Sequence, residues 1–187
     1  MTALTSLLNP APRQTGEPVD GVRLNGLRAG VLGANDGIVS VAALVVGVAG
    51  ATPGSAAILT AGIAGLVAGA LSMAAGEYVS VSSQRDAERA GQMADEHLVN
   101  PWHAAVASLG AFLVGGLVPV LVALVPWGAA LVPAVFAAVV AALVLTGAVS
   151  ARIGGAPALP AVRRNVIGGS LAMVITYAIG AVVGLAV

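Results

Sequence analysis

Apolar positions in this chain fall in blocks too long for the interior of an ordinary soluble domain. Five such blocks lie near 28–50, 56–82, 103–125, 129–151 and 163–187. Short breaks separate them: "GATPGS" after the first, a longer polar stretch after the second, "VPWG" after the third and "IGGAPALPAV" after the fourth. A hydrocarbon core about 30 Å thick takes about 20 apolar residues to cross as a helix. The pattern therefore predicts an all-α, polytopic integral membrane protein with five transmembrane helices per protomer. Pro119 and Pro133 fall inside the third and fourth blocks and predict kinks there.

Composition supports this reading. Hydrophobic residues make up 58% of the chain and charged residues 9%, whereas a soluble domain carries roughly 25% charged residues to hold its surface in water. With 25 Gly and only 3% aromatic residues, the helices can approach one another closely. The absence of cysteine excludes disulfides, iron–sulfur clusters and thiolate metal sites. A net charge of zero argues against a nucleic-acid partner. Residues 1–25, with three prolines, mixed charges and no continuous apolar core, read as a cytosolic-type arm rather than a cleaved leader. Residues 26–187 form the transmembrane domain, in which 83–102 is a short polar connector.

The cations orient the bundle. All eight are arginines: Arg13, Arg23 and Arg28 lie at or before the start of the first span, Arg85 and Arg89 follow the second, and Arg152, Arg163 and Arg164 lie between the fourth and fifth. Five spans put all three groups on one side, and the positive-inside rule makes that side cytoplasmic. The N-terminus is then inside and the C-terminus outside. Trp102 and Trp127 bracket the third span about 37 Å apart along a helix, as two interfacial anchors would.

Six of the eight acidic residues lie in the arm or the connector, where water solvates them. The other two are Asp36 and Glu77. Asp36 is eight residues after Arg28 and Glu77 eight residues before Arg85, so a ruler laid from each arginine puts both carboxylates about 12 Å inside. Met73, one turn before Glu77, falls about 6 Å deeper by the same ruler. A buried ionisable group costs at least about 2.5–3.5 kcal/mol on insertion scales, and no Arg, Lys or His stands in the span interiors to neutralise these two. A dication would. Asn35 or backbone carbonyls could add oxygens, and the Met73 thioether is a softer ligand than Mg²⁺ or Ca²⁺ needs. Fe²⁺ or Mn²⁺ fits this set best, with Zn²⁺ possible.

Plainer readings stand beside it. An intramembrane Asp can serve as protonated interhelical glue, a Glu near a helix end can reach the interface, and a Met in an apolar helix is commonly core filler. Gly26, Gly30, Gly33 and Gly37 form a small-residue stripe in the first span, and Gly62, Gly65, Gly69 and Gly76 one in the second, both predicting close helix contact.

Four segments carry a family resemblance: "GANDGIVSVAALVVGV", "AGLVAGALSMAAGEYVSVSSQRDAE", "NPWHAAVASLGAFLVGGLVPVL" and "RRNVIGGSLAMVITYAIGAVVG". Together they resemble the vacuolar iron transporter family, which includes plant nodulin-21-like proteins and bacterial members, over residues 22 to 187. The resemblance implies a five-helix protomer in a symmetric homodimer that exchanges cytosolic Fe²⁺, and often Mn²⁺, for protons. It also implies a pathway through the Asp of ANDG and the Met of SMxxGE, with the Glu of that motif nearby: here Asp36, Met73 and Glu77. The long glutamate-rich cytosolic domain of the best-known members is replaced by "SQRDAERAGQMADEHLVNP". This connector reads as a solvated link, with a weak metal-capture site through Glu88, Met93, Glu96 or His97 as the lesser reading. The second helix is expected to extend through Arg89, and His103 to be interfacial.

The mechanism expected is competition between protons and metal for the same carboxylates. A passive cation channel needs the same acidic groups without proton coupling. A structural or partner-binding bundle needs neither. Catalysis is not expected, because HExxH and Gly-x-Ser-x-Gly are absent and one Asp with one Glu does not supply paired aspartates. An Ala/Gly/Val/Arg-rich chain without Lys suggests a GC-rich bacterial genome and the plasma membrane, or the vacuolar membrane in a eukaryote.

Overall fold

The computed structural model describes residues 21–52, 54–95 and 98–186. Five long helices account for nearly all of them: α1 Gly21–Ala51, α2 Ser55–Ala90, α3 Pro101–Ala123, α4 Leu131–Ile153 and α5 Ala158–Ala186, with a single 3-10 turn at Gly128–Ala130 before α4. All five are long and apolar enough to cross a membrane. Most of the arm, along with Glu96 and His97, lies outside the described residues. The last residues assigned to the arm do not: Gly21–Asn25 already belong to α1.

Helix ends follow local chemistry. Asn100 caps α3, its Oδ1 accepting from the backbone N–H groups of Trp102 (3.0 Å) and His103 (3.3 Å), and Pro101 fills the first helical position, where a missing N–H costs nothing. Pro133 falls in the first turn of α4, which begins at Leu131. Its N–H would have had no helical partner there, so the expected kink has no cause. Pro119 lies within α3, which continues through it. At 36 residues, about 54 Å, α2 outruns the hydrocarbon core and carries Arg85 and Arg89 beyond it.

The bundle is built around α1. Its apolar window is 44% buried, with α3 next at 39%, against 22% for α2 and 17% for both α4 and α5, so α1 and α3 lie innermost and α2, α4 and α5 turn most of their surface outward. Ile38, Val41, Ala42, Val45 and Val46 of α1 form the core with Ile58 and Leu66 of α2, Phe112 and Val120 of α3, Val135, Val139 and Leu143 of α4, and Met173 of α5. Since lipid tails are as apolar as these side chains, close packing rather than water exclusion holds helices together here.

Glycine permits that closeness at particular crossings. A Cβ on Gly33 would sit 2.6 Å from the Ser108 carbonyl oxygen, and one on Gly37 would collide with the carbonyl of Phe112. Gly180 of α5 meets the Gly47 carbonyl of α1 in the same way. Gly26 and Gly30 were also expected in the α1 stripe, but a Cβ on either would meet nothing within 4 Å, so the stripe's packing half is Gly33 and Gly37 alone. Those two seat α3, not α2.

Candidate functional site

Between α1 and α2 lies a cleft of about 490 Å³, backed by Phe112 of α3. Asp36 and Ser40 line it from α1, and Ser72, Met73, Gly76 and Glu77 from α2. The fold thus brings Asp36, Met73 and Glu77 to one cavity. Phe112 is fully buried, and its ring lies where a Cβ on Gly69 would be. An aromatic side chain from α3 therefore reaches across to α2 and occupies the seam. Gly65 and Gly69 keep the α2 wall low, and a methyl on Gly76 would meet nothing within 4 Å.

The depths differ from those expected. A Cβ on Gly65 would meet Leu44 and one on Gly62 would meet Val45. That antiparallel register sets Asp36 opposite Met73 and leaves Glu77 about one turn, roughly 6 Å, nearer the arginine-bearing end. The equal-depth expectation fails because it put Arg28 and Arg85 at one edge. Arg28 sits far enough in to reach Glu77: its Nη2 donates to Glu77 Oε2 at 2.9 Å. Glu77 is consequently paired, contrary to the expectation that no cation would neutralise it. Asp36 has no side-chain partner among the described residues. The Ser40 hydroxyl, close by, donates to the Asp36 backbone carbonyl at 2.6 Å rather than to its carboxylate.

Two other candidates lie elsewhere. Asn35 does not line the cleft, and its Oδ1 is buried without a hydrogen-bond partner among the described residues. Glu88 accepts from Gln84 Nε2 at 2.8 Å and from the Val99 backbone N–H at 3.0 Å, which ties the connector back onto α2. Met93 is exposed, and His103 lies at the exposed start of α3. Among the described residues no three His, Asp or Glu side chains gather as a metal cluster. The cleft offers two carboxylates and a thioether. Sequence reasoning did not single out Ser40, Ser72 or Phe112 as cleft residues. Phe112 carried a weak signal as one of only two Phe residues in the chain.

A family model described as the VIT family matches residues 27–98 and 88–181, which spans both cleft-forming helices and the rest of the bundle. The chain belongs to the VIT family. Among VIT relatives, Vacuolar iron transporter homolog 3 of Arabidopsis thaliana is 45% identical over 170 residues, covering 87% of this chain and 85% of its own length. Vacuolar iron transporter homolog 2 of Oryza sativa subsp. japonica is 46% identical over 171 residues, covering 84% of this chain and 90% of its own length. The VIT match includes Asp36, Met73 and Glu77, and its two segments overlap at 88–98, within the connector.

Proposed function

We propose that this integral membrane protein transports a divalent transition metal, Fe²⁺ or Mn²⁺, out of the cytoplasm through the α1–α2 cleft in exchange for protons. The observation that carries the reading is the convergence of Asp36, Met73 and Glu77 on one cavity. Two carboxylates balance the charge of a dication, and the thioether favours a transition metal over Mg²⁺ or Ca²⁺. The two relatives described above, both named vacuolar iron transporter homologs, point to the same substrate class.

Exchange follows from the ligands themselves. Carboxylates bind metal only when deprotonated, so metal arriving from the cytoplasm displaces protons and protons arriving from the far side displace metal. The cleft of one chain supplies few ligands, and a second copy across a symmetric dimer would complete the coordination sphere. The arginine-bearing end faces the cytoplasm, with the bacterial plasma membrane as the setting. Proteoliposomes with an imposed pH gradient test this reading: uphill Fe²⁺ or Mn²⁺ movement supports exchange, and movement that only follows the metal gradient supports a passive channel.

A further inference from the structure

Glu77 is only 5% exposed, whereas the arginine that holds it, Arg28, is 51% exposed. The guanidinium is guided into place from its own helix: Asn25, one turn earlier, accepts from Arg28 Nε at 3.3 Å and Nη2 at 3.2 Å. One nitrogen, Nη2, thus serves both Asn25 and Glu77, and the rest of the side chain stays in contact with solvent. A buried carboxylate without a partner is strongly disfavoured. Yet an ion pair whose cation is half in water is weak and exchangeable. Glu77 lines the cleft, so the position Arg28 occupies is one that a cation in the cleft would contest.

Resting on the transport reading above, we propose that Arg28 is a tethered counter-cation that selects for dications. It neutralises Glu77 while the cleft is empty of metal and swings into water when a dication arrives. A hydrated monovalent ion carries no more charge than the guanidinium and has no tether like the one that holds Arg28 to Asn25 beside Glu77, so it does not displace Arg28. A dication carries twice the charge and gains Asp36 and Met73 as well. When the metal departs, Arg28 returns and Glu77 is not left bare. Arg28 is thus a positioning and specificity residue rather than a metal ligand.

The test is Mn²⁺ uptake into proteoliposomes under a pH gradient by wild type, R28Q, R28K, E77Q and R28Q/E77Q. R28Q is expected to lower the KM for Mn²⁺ roughly three- to fivefold, the scale of a half-exposed ion pair, and to make uptake sensitive to added K⁺, to which wild type is indifferent. R28K keeps the charge without the fork and falls between the two. In the E77Q background the Arg28 substitution leaves the KM unchanged; where E77Q abolishes uptake, Mn²⁺ binding followed by the electron-spin resonance of the free ion makes the same comparison. An R28Q KM at or above wild type, or an equal shift with and without Glu77, overturns the role of Arg28. Should R28Q not fold, R28K decides alone: a KM below wild type supports the proposal and one at or above it contradicts it. Absence of wild-type uptake contradicts the transport reading itself, so the two failures are distinct.

Discussion

Asp36 of α1 stands opposite Met73 of α2 across a single cleft, a carboxylate level with a thioether. In the transport proposed above, this pair would join a hard ligand to a soft one, the combination by which a site prefers a transition metal over the far more abundant Mg²⁺.

Replacing Met73 by Leu keeps volume and apolarity, so the fold should tolerate it at a cost below about 1.5 kcal/mol. What is lost is the sulfur. The KM for Fe²⁺ should rise roughly tenfold, equivalent to about 1.4 kcal/mol, with excess Mg²⁺ becoming a competitor. Competition uptake measured side by side for M73L and wild type checks this; identical Fe²⁺ kinetics would remove Met73 from the pathway.

Two glycines of similar sequence context should behave oppositely. A Cβ on Gly37 meets the Phe112 backbone, which cannot move aside as a side chain tip could, so G37A should destabilise by about 1–3 kcal/mol as overpacking does. Gly76 has open space beside it and lines the cleft, so G76A should fold normally, helped by the better helix propensity of Ala. Thermal unfolding in detergent reads the first effect. Uptake reads the second, which is expected as slower transport by an intact protein.

Glu88 gives a third contrast. Its carboxylate holds the Val99 N–H, and E88A leaves that donor unpaired where the connector packs, costing about 1–3 kcal/mol. Local hydrogen exchange at residues 98–100 should accelerate while the Mn²⁺ KM stays within about twofold, the scatter expected away from a ligand. A large rise in KM at unchanged exchange would instead make Glu88 a metal-capture residue.

How much of this was legible in the chain varies from residue to residue. The five spans were, because blocks of twenty apolar residues have no soluble alternative and every backbone polar group in lipid has to be satisfied within a helix. Asp36 and Glu77 stood out because charge is costly in lipid. Their relative depth did not, since a ruler laid from Arg28 ignores how far a long side chain sits from its own edge, and only the Gly62–Val45 and Gly65–Leu44 register fixes it. The Arg28–Glu77 pair spans 49 residues and two helices. Nothing local to either residue announces it. Gly33 and Gly37 were readable as contact glycines, but not their partner: Ser108 and Phe112 belong to α3, and helix neighbourhood in space is not written in helix order along the chain.

In the metal–proton exchange proposed above, the central group is Asp36, the cleft carboxylate with no side-chain partner among the described residues. Proteoliposomes loaded at low pH and diluted into Mn²⁺ at higher pH, with wild type and D36N compared at equal reconstitution, measure its role directly. Wild type should accumulate Mn²⁺ above the external level while acidifying the outside, and D36N should do neither although its helical content and thermal unfolding match wild type. Undiminished Mn²⁺ accumulation by D36N would contradict exchange through this carboxylate.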